Sequence, residues 1–455
     1  MSPPRPATAP TAAFTSGSTL GHVVRMTAAA SVGLAALFAV DVLNLFYIAR
    51  LGQPSLTAAA GYAGTLLFFI VSLSIGLSIA ATALTARALG AGDRDHARQL
   101  AGASLVIMAA AMALAAAVVA PLAGPLLGWL GATGETAAHA HRFLLILLPS
   151  LPLLGLGMCL GALLRAVGDA RRAMWVTLGA SGVAAVVDPL FILGLGWGLD
   201  GAAWATYLTR GAMVWIGWRA LRHAHDLFRW PDRALLLATL RPYLAIGVPA
   251  VLTQIATPVG NALVTHAMAA HGDAAVAAWA VIVRLIPVSF VVLFALSGSI
   301  GPIIGQNLGA RRYDRLHSTL RDSLLVVLLY VMAVWALLAV GSGAIASAFD
   351  AHGQARELIV FFCLFVAGSF LFNGALFVAN AAFNNLGFAF YSTALNWGRA
   401  TLGVAPFIAV GSQLAGATGV LAGYGLGVVL FGAVGAWLAF RVVGRLAREG
   451  ASAVS

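Results

Sequence analysis

The chain has 455 residues, 61% of them hydrophobic and 9% charged, and its mean hydropathy is +0.94. Charged residues supply about a quarter of an ordinary soluble domain, so this balance excludes a water-soluble globular protein. The formal charge of +11 is carried by arginine without a single lysine. The arginines cluster at the ends of apolar runs, which points to a membrane surface and against a nucleic-acid partner.

Residues 1–20 are rich in Pro, Ala, Ser and Thr and are expected to form a disordered cytoplasmic tail with no cleavable secretory signal. Twelve apolar stretches follow, at roughly 23–49, 56–86, 98–121, 137–164, 172–196, 201–221, 242–270, 275–304, 318–345, 357–383, 388–410 and 416–440. Leu100–Leu122 and Leu324–Ala344 contain no charge at all and are long enough to cross a bilayer as helices. Gly and Pro punctuate the gaps, as in Leu51-Gly52-Gln53-Pro54, Gly168-Asp169 and His271-Gly272-Asp273. The predicted fold is an all-α integral membrane protein with twelve transmembrane helices in two six-helix lobes. The lobes are placed at 21–222 and 242–445, joined by a cytoplasmic linker over 223–241 and followed by a tail over 446–455. Cys159 and Cys363 both fall in apolar runs and read as packing residues.

With the N-terminus inside, 20 arginines fall on inside loops and helix ends. Only Arg50, Arg142 and Arg356 fall outside, and Arg210, Arg284 and Arg399 lie within spans. This bias fixes an even number of spans with both termini cytoplasmic. The chain also repeats itself. Leu89-Gly90-Ala91 with Asp95 matches Leu308-Gly309-Ala310 with Asp314, and Gly168 matches Gly387, all at an offset of 219. Six spans separate the copies, so the halves are parallel repeats about an axis along the membrane normal.

Asp41 and Asp188 are the carboxylates placed well inside spans. An ionised Asp near a helix centre costs ~2.5–3.5 kcal/mol even on the lenient insertion scale, and such residues are functional by default. Asn44, at i+3 from Asp41, is placed to hydrogen-bond its carboxyl. Asp188 precedes Pro189, which removes a backbone hydrogen bond to Ala185 and favours a kink. The plain alternative is that each Asp neutralises a nearby Arg or caps a helix. Structural pairing is the expected role of Arg210, Arg284 and Arg399. Phe38, Tyr62, Phe68, Trp279 and Phe294 could line an apolar cavity for flat cations, although ordinary packing explains aromatics equally well. No Walker loop, nucleophile elbow or zinc-ligand cluster occurs, so neither an enzyme, a cofactor nor a metal site is expected.

Three segments carry a family resemblance: Pro302-Ile303-Ile304-Gly305-Gln306-Asn307-Leu308-Gly309-Ala310 with Asp314-Arg315, Leu164-Arg165-Ala166-Val167-Gly168-Asp169, and Asp188-Pro189-Leu190-Phe191-Ile192 followed by Gly201 to Thr206. In this order they resemble the multidrug and toxic compound extrusion (MATE) family over essentially the whole chain after residue 20, closer to its DinF-like branch. The resemblance implies two lobes around a central cleft and efflux of cationic amphipathic compounds against a proton or sodium gradient. It places the coupling cluster on Asp41, Asp188 and Thr206, while two of the cluster's asparagines are replaced here by Ala184 and Gly161. The carboxylates of the NorM-like branch fall on Thr257 and Asn373, so proton coupling through the N-lobe acids is the expectation.

The reading is therefore an antiporter of the bacterial inner membrane, a monomer in the lipid bilayer that exports small organic cations in exchange for protons. Sodium in place of protons, or a lipid-linked or polysaccharide precursor flippase of the same superfamily, are the alternatives. The three arginines inside spans keep the flippase reading open, and the match around Asp188 and the loop motifs count against it.

Overall fold

The computed structural model describes residues 12–452, which are helical throughout and contain no strand. The helices are α1 (Thr19–Ala49), α2 (Pro54–Gly90), α3 (Arg94–Trp129), α4 (Gly134–Val167), α5 (Ala170–Gly194), α6 (Gly198–Arg219) and α7 (Arg233–Ala269). They continue as α8 (Asp273–Ser289), α9 (Val291–Gly309), α10 (Tyr313–Ala348), α11 (Gly353–Leu386), α12 (Ala389–Ala400) and α13 (Ala405–Ser452). Ten helical runs among the described residues are long and apolar enough to span a membrane. The last of them, Ala389–Gly450, is two spans joined by a reversal at Ala415 and Gly416. With α6, the chain crosses twelve times, α8 and α9 forming one span broken at Phe290.

The turns follow from local chemistry. Gly168 and Gly387 end α4 and α11 in the left-handed conformation, with φ of 98° and 94°, which a Cβ would resist. Asp93, Asp169 and Asp232 then accept hydrogen bonds from His96, Arg172 and Leu235 N–H groups at 2.9, 2.9 and 2.7 Å, starting α3, α5 and α7. After Asp188 and Pro189 the α-helix gives way to a π turn over Leu190–Gly194, the widening expected where a proline withdraws a donor.

In the first half α1 packs on α5, α2 on α3 and α4, and α4 and α5 on α6. In the second, α7 packs on α12 and α11 on α9 and α13. The halves meet where α2 lies against α7 and α9, and α1 against α9. All the arginine-rich turns lie at one end. Arg98 Nε donates to the Asp226 carbonyl at 2.8 Å, His225 Nε2 lies 2.8 Å from Asp169 Oδ2, and the α9–α10 turn abuts the end of α2. There α2 and α9 cross so closely that a Cβ on Gly90 would lie 2.0 Å from the Gln306 carbonyl oxygen, and one on Gly309 would lie 2.1 Å from that of Arg87. Glycine permits this approach, and close backbone contact replaces the hydrophobic drive that lipid removes.

Two boundaries differ from expectation. Residues 12–20, assigned to a disordered tail, are folded: Phe14 is 2% exposed, and its carbonyl accepts from Asn307 Nδ2 at 3.2 Å and Arg315 Nη2 at 2.9 Å. Residues 1–11 of that assignment lie outside the described residues. The linker assigned to 223–241 is shorter, because the Asp232 cap starts α7 at Arg233 and the helix carries Pro242 within it. Leu227 and Phe228 of the linker are buried.

Candidate functional site

Asp188 sits on the last turn of α5 before Pro189, 4% exposed. Because α1 packs along α5, Asn44 reaches across and donates from Nδ2 to Asp188 Oδ2 at 3.0 Å. Asn44 thus serves the acid of the neighbouring helix, not Asp41 on its own helix as the spacing suggested. Asp41 is exposed on α1 one turn earlier, close enough for the two carboxyl groups to interact electrostatically. Among the described residues neither acid forms an ion pair, which removes the reading in which each merely neutralises an arginine. Eight residues of α1 follow Asp41 and six of α5 follow Asp188, which puts the pair about 9–12 Å from the arginine-poor helix ends. An unpaired carboxylate pair at that depth is suited to taking up a proton or a small cation.

The remaining candidates are dispersed. Thr206 donates to the Ala202 carbonyl of its own helix at 2.8 Å, so its proton is committed locally and its oxygen can act only as an acceptor. The Tyr62 hydroxyl lies 3.4 Å from the Gly131 carbonyl in the α3–α4 turn. Trp279 lines no open space: it is 2% exposed and stands edge-on against Tyr424 at 5.4 Å. Phe294 is partly exposed and leans on Phe377. Phe68 on α2 is exposed, and Phe38 on α1 is half-buried.

The arginines inside spans separate by environment. Arg210 on α6 is buried and donates to Ser150 Oγ in the 3₁₀ break of α4. Arg284 is exposed. Arg399 is 6% exposed on α12, with its Nη2 3.4 Å from Thr257 Oγ1, the Tyr424 hydroxyl as a further partner and its Nε unpaired. No carboxylate pairs with it among the described residues. Asn373, the other second-half position singled out in the sequence, is buried with Oδ1 unpaired. Tyr424 was not legible as a partner, because it meets Arg399 through the α12–α13 packing and shares no local motif with it.

The comparisons with known proteins agree with this architecture. The FAD transporter of Shewanella oneidensis is 29% identical over 425 residues, covering 90% of this chain and 92% of its own. The multidrug export protein MepA of Staphylococcus haemolyticus is 23% identical over 388 residues, covering 84% of each chain. The crystal structure of the Vibrio cholerae MATE transporter VcmN in the bent form superposes with a TM-score of 0.89 at 25% identity, covering 95% of this chain and 98% of that one. The MatE family profile matches residues 19–190 and 249–410, a repeated match that falls once on each half. The chain is a multi-pass membrane transporter and belongs to the MATE family.

Proposed function

We propose that this chain is an antiporter of the bacterial inner membrane that exports cationic amphipathic compounds in exchange for protons. The observation that carries the reading is the Asp188 carboxylate, buried in a membrane span, held by Asn44 from the neighbouring helix and, among the described residues, paired with no cation. The arginine-rich end is the cytoplasmic one by the charge rule. Protons then reach Asp41 and Asp188 from the outside, through the arginine-poor half. Neutralising the acids releases a bound cation and favours return to a state open to the cytoplasm, with the units 21–222 and 242–445 rocking about the crossing of α2 and α9. Multidrug export by the relative named MepA supports the substrate class. Sodium is the less favoured ion, because a desolvated cation needs several oxygen ligands and Ala184 and Gly161 supply no side-chain oxygen.

The test is efflux of a fluorescent organic cation from proteoliposomes, driven separately by a pH gradient and by a sodium gradient. Wild type is compared with Asp41→Asn and Asp188→Asn. Transport driven by the pH gradient alone and lost in both variants is the expected outcome. Transport driven by sodium, or normal coupling in both variants, overturns the assignment.

One observation favours a second reading, export of a solute bearing an anionic group. Arg399 is a buried cation with no carboxylate partner among the described residues, and the relative with 29% identity is named an FAD transporter. Counterflow of a flavin nucleotide that depends on Arg399, with no organic-cation efflux, selects that reading.

A further inference from the structure

The arginine-rich end holds a cavity of about 580 Å³ outside the acid pair. It lies between the first turns of α1, the α4–α5 turn, the start of α5 and the segment after α6. Arg25, Asp169, Arg171, Arg172, Trp175 and His225 give it its chemistry. The single acid in this wall is already committed. Asp169 Oδ1 caps α5 by accepting from the Arg172 N–H at 2.9 Å, and Oδ2 lies 2.6 Å from Arg172 Nη1 and 2.8 Å from His225 Nε2. Arg25 and Arg171 form no hydrogen bond or ion pair among the described residues. Two guanidinium groups therefore face one hollow with their donors free, a geometry suited to phosphate oxygens.

The depth of the cavity says where the phosphate comes from. Arg25 stands six residues into α1 and Trp175 five residues into α5, so both lie about 8–9 Å below the helix starts. Trp175 is exposed there, as are Val24 and Val32 on the adjoining side of α1. Exposed Trp beside free Arg, with apolar side chains running on toward the membrane interior, marks headgroup depth.

We propose that this cavity binds the headgroup of an anionic phospholipid, with Arg25 and Arg171 holding the phosphate, Trp175 lying at the headgroup–acyl boundary and the acyl chains along α1 and α5. The bound lipid joins the bases of the two helices that carry Asp41 and Asp188 higher up.

The test uses the full chain purified in a neutral detergent and titrated with phosphatidylglycerol, phosphatidylcholine or inorganic phosphate, with adducts counted by native mass spectrometry. Wild type is expected to retain phosphatidylglycerol over phosphatidylcholine and to be indifferent to millimolar inorganic phosphate. Arg25→Gln and Arg171→Gln are each expected to weaken retention about fivefold, and together about thirtyfold. Arg241→Gln, an exposed arginine on α7 outside the cavity, is expected to change nothing. Should the double variant fail to fold, Arg25→Gln alone decides, since its exposed side chain has no partner to lose among the described residues. Equal retention of the two lipids by wild type, or unchanged phosphatidylglycerol retention in Arg25→Gln, overturns the proposal. Displacement of phosphatidylglycerol by millimolar phosphate reassigns the cavity to the free ion and overturns it as a lipid site.

Discussion

Arg87 and Gln306 occupy equivalent positions in the two halves and make equivalent bonds across the crossing of α2 and α9. Arg87 Nε donates to the Asn385 carbonyl at 2.9 Å, and Gln306 Nε2 donates to the Ala166 carbonyl at 2.7 Å. Donors and acceptors are both related by the same offset of 219 residues that relates Gly90 to Gly309. The internal repeat is thus expressed as a two-fold set of contacts that closes the arginine-rich end. The symmetry is broken in one respect. Arginine carries only donors, whereas the Gln306 amide has an oxygen left over, and this accepts the Phe14 N–H at 2.9 Å. Gln306 therefore ties the first half, the second half and the N-terminal segment together.

Gln306→Ala is expected to open the arginine-rich end. It removes the bond to Ala166 and strands the buried Phe14 N–H, a cost of about 1–3 kcal/mol, enough to move a closed–open equilibrium about fivefold or more. Gly90→Val is expected to act in the same direction by forcing a side chain into the Gln306 backbone, at a cost of about 1–3 kcal/mol. Spin labels on Asp95→Cys, in the first turn of α3, and Arg312→Cys, on the α9–α10 turn, read the separation of the two halves. An unchanged distance distribution in both variants would sink the idea.

The bilayer explains why so much of the fold was legible. Twelve spans, their common arginine-rich end and the 219-residue repeat are all written in local composition, because lipid tolerates few alternatives to a long apolar helix. Gly168-Asp169 was readable for the same reason, as a helix stop followed at once by a helix start. What was not legible depends on partners far along the chain. The segment around Phe14 has the composition of a disordered tail, and the hydrogen bonds that help to order it come from Gln306, Asn307 and Arg315, nearly 300 residues away. Asn44 was recognised as a polar companion to an acid, but helix spacing pointed to Asp41, while the packing of α1 on α5 delivers it to Asp188. Trp279 and Tyr62 were grouped with cavity aromatics by composition, which carries no information about which way a ring faces.

Asn44→Leu is expected to cut transport by about ten- to a hundredfold while leaving the protein folded and inserted. The amide is the hydrogen-bond donor from outside α5 on the buried Asp188 carboxylate, and a bond to a charged group is worth about 1.5–3 kcal/mol. Asn44→Gln, which keeps the donor on a longer arm, is expected to retain part of the activity. Initial rates in proteoliposomes at matched protein content check this, and equal rates for Leu and Gln would show that side-chain size, not the donor, matters.

Asp169 makes a prediction about pH. Burial alone would raise its carboxyl, but hydrogen bonds from His225 and Arg172 outweigh burial and hold it well below the usual carboxylate range. A depressed folded value contributes stability that is complete above the unfolded value, near 4, and is lost as pH falls through the folded one. Asp169→Asn keeps the helix cap but loses the charge, and is expected to cost about 1–2 kcal/mol. The melting-temperature gap between wild type and variant should not shrink between pH 7 and pH 5 and should narrow below about pH 4. A gap that shrinks between pH 7 and pH 5 would count against the assignment.

Arg399 offers a case in which stability and transport should part company. Its guanidinium is buried with a hydroxyl at 3.4 Å, a tyrosine and an unpaired Nε, and no carboxylate among the described residues offsets its desolvation. Replacing an ill-compensated buried charge by an apolar side chain of similar length stabilises proteins by about 1–4 kcal/mol in favourable cases. Arg399→Met is therefore expected to melt at a higher temperature than wild type in detergent. A group kept at a cost to stability is kept for function, so the same variant is expected to lose transport under both readings of the substrate, for different reasons. If the cargo is an organic cation, Arg399 holds the α7–α12–α13 packing in its working geometry through Thr257 and Tyr424, and Arg399→Lys, which keeps a donor, restores part of the rate. If the cargo carries an anionic group, the planar fork is what matters, and lysine restores binding far less well. A lower melting temperature with transport intact would show instead that Arg399 is a structural donor to Thr257 and Tyr424 and nothing more.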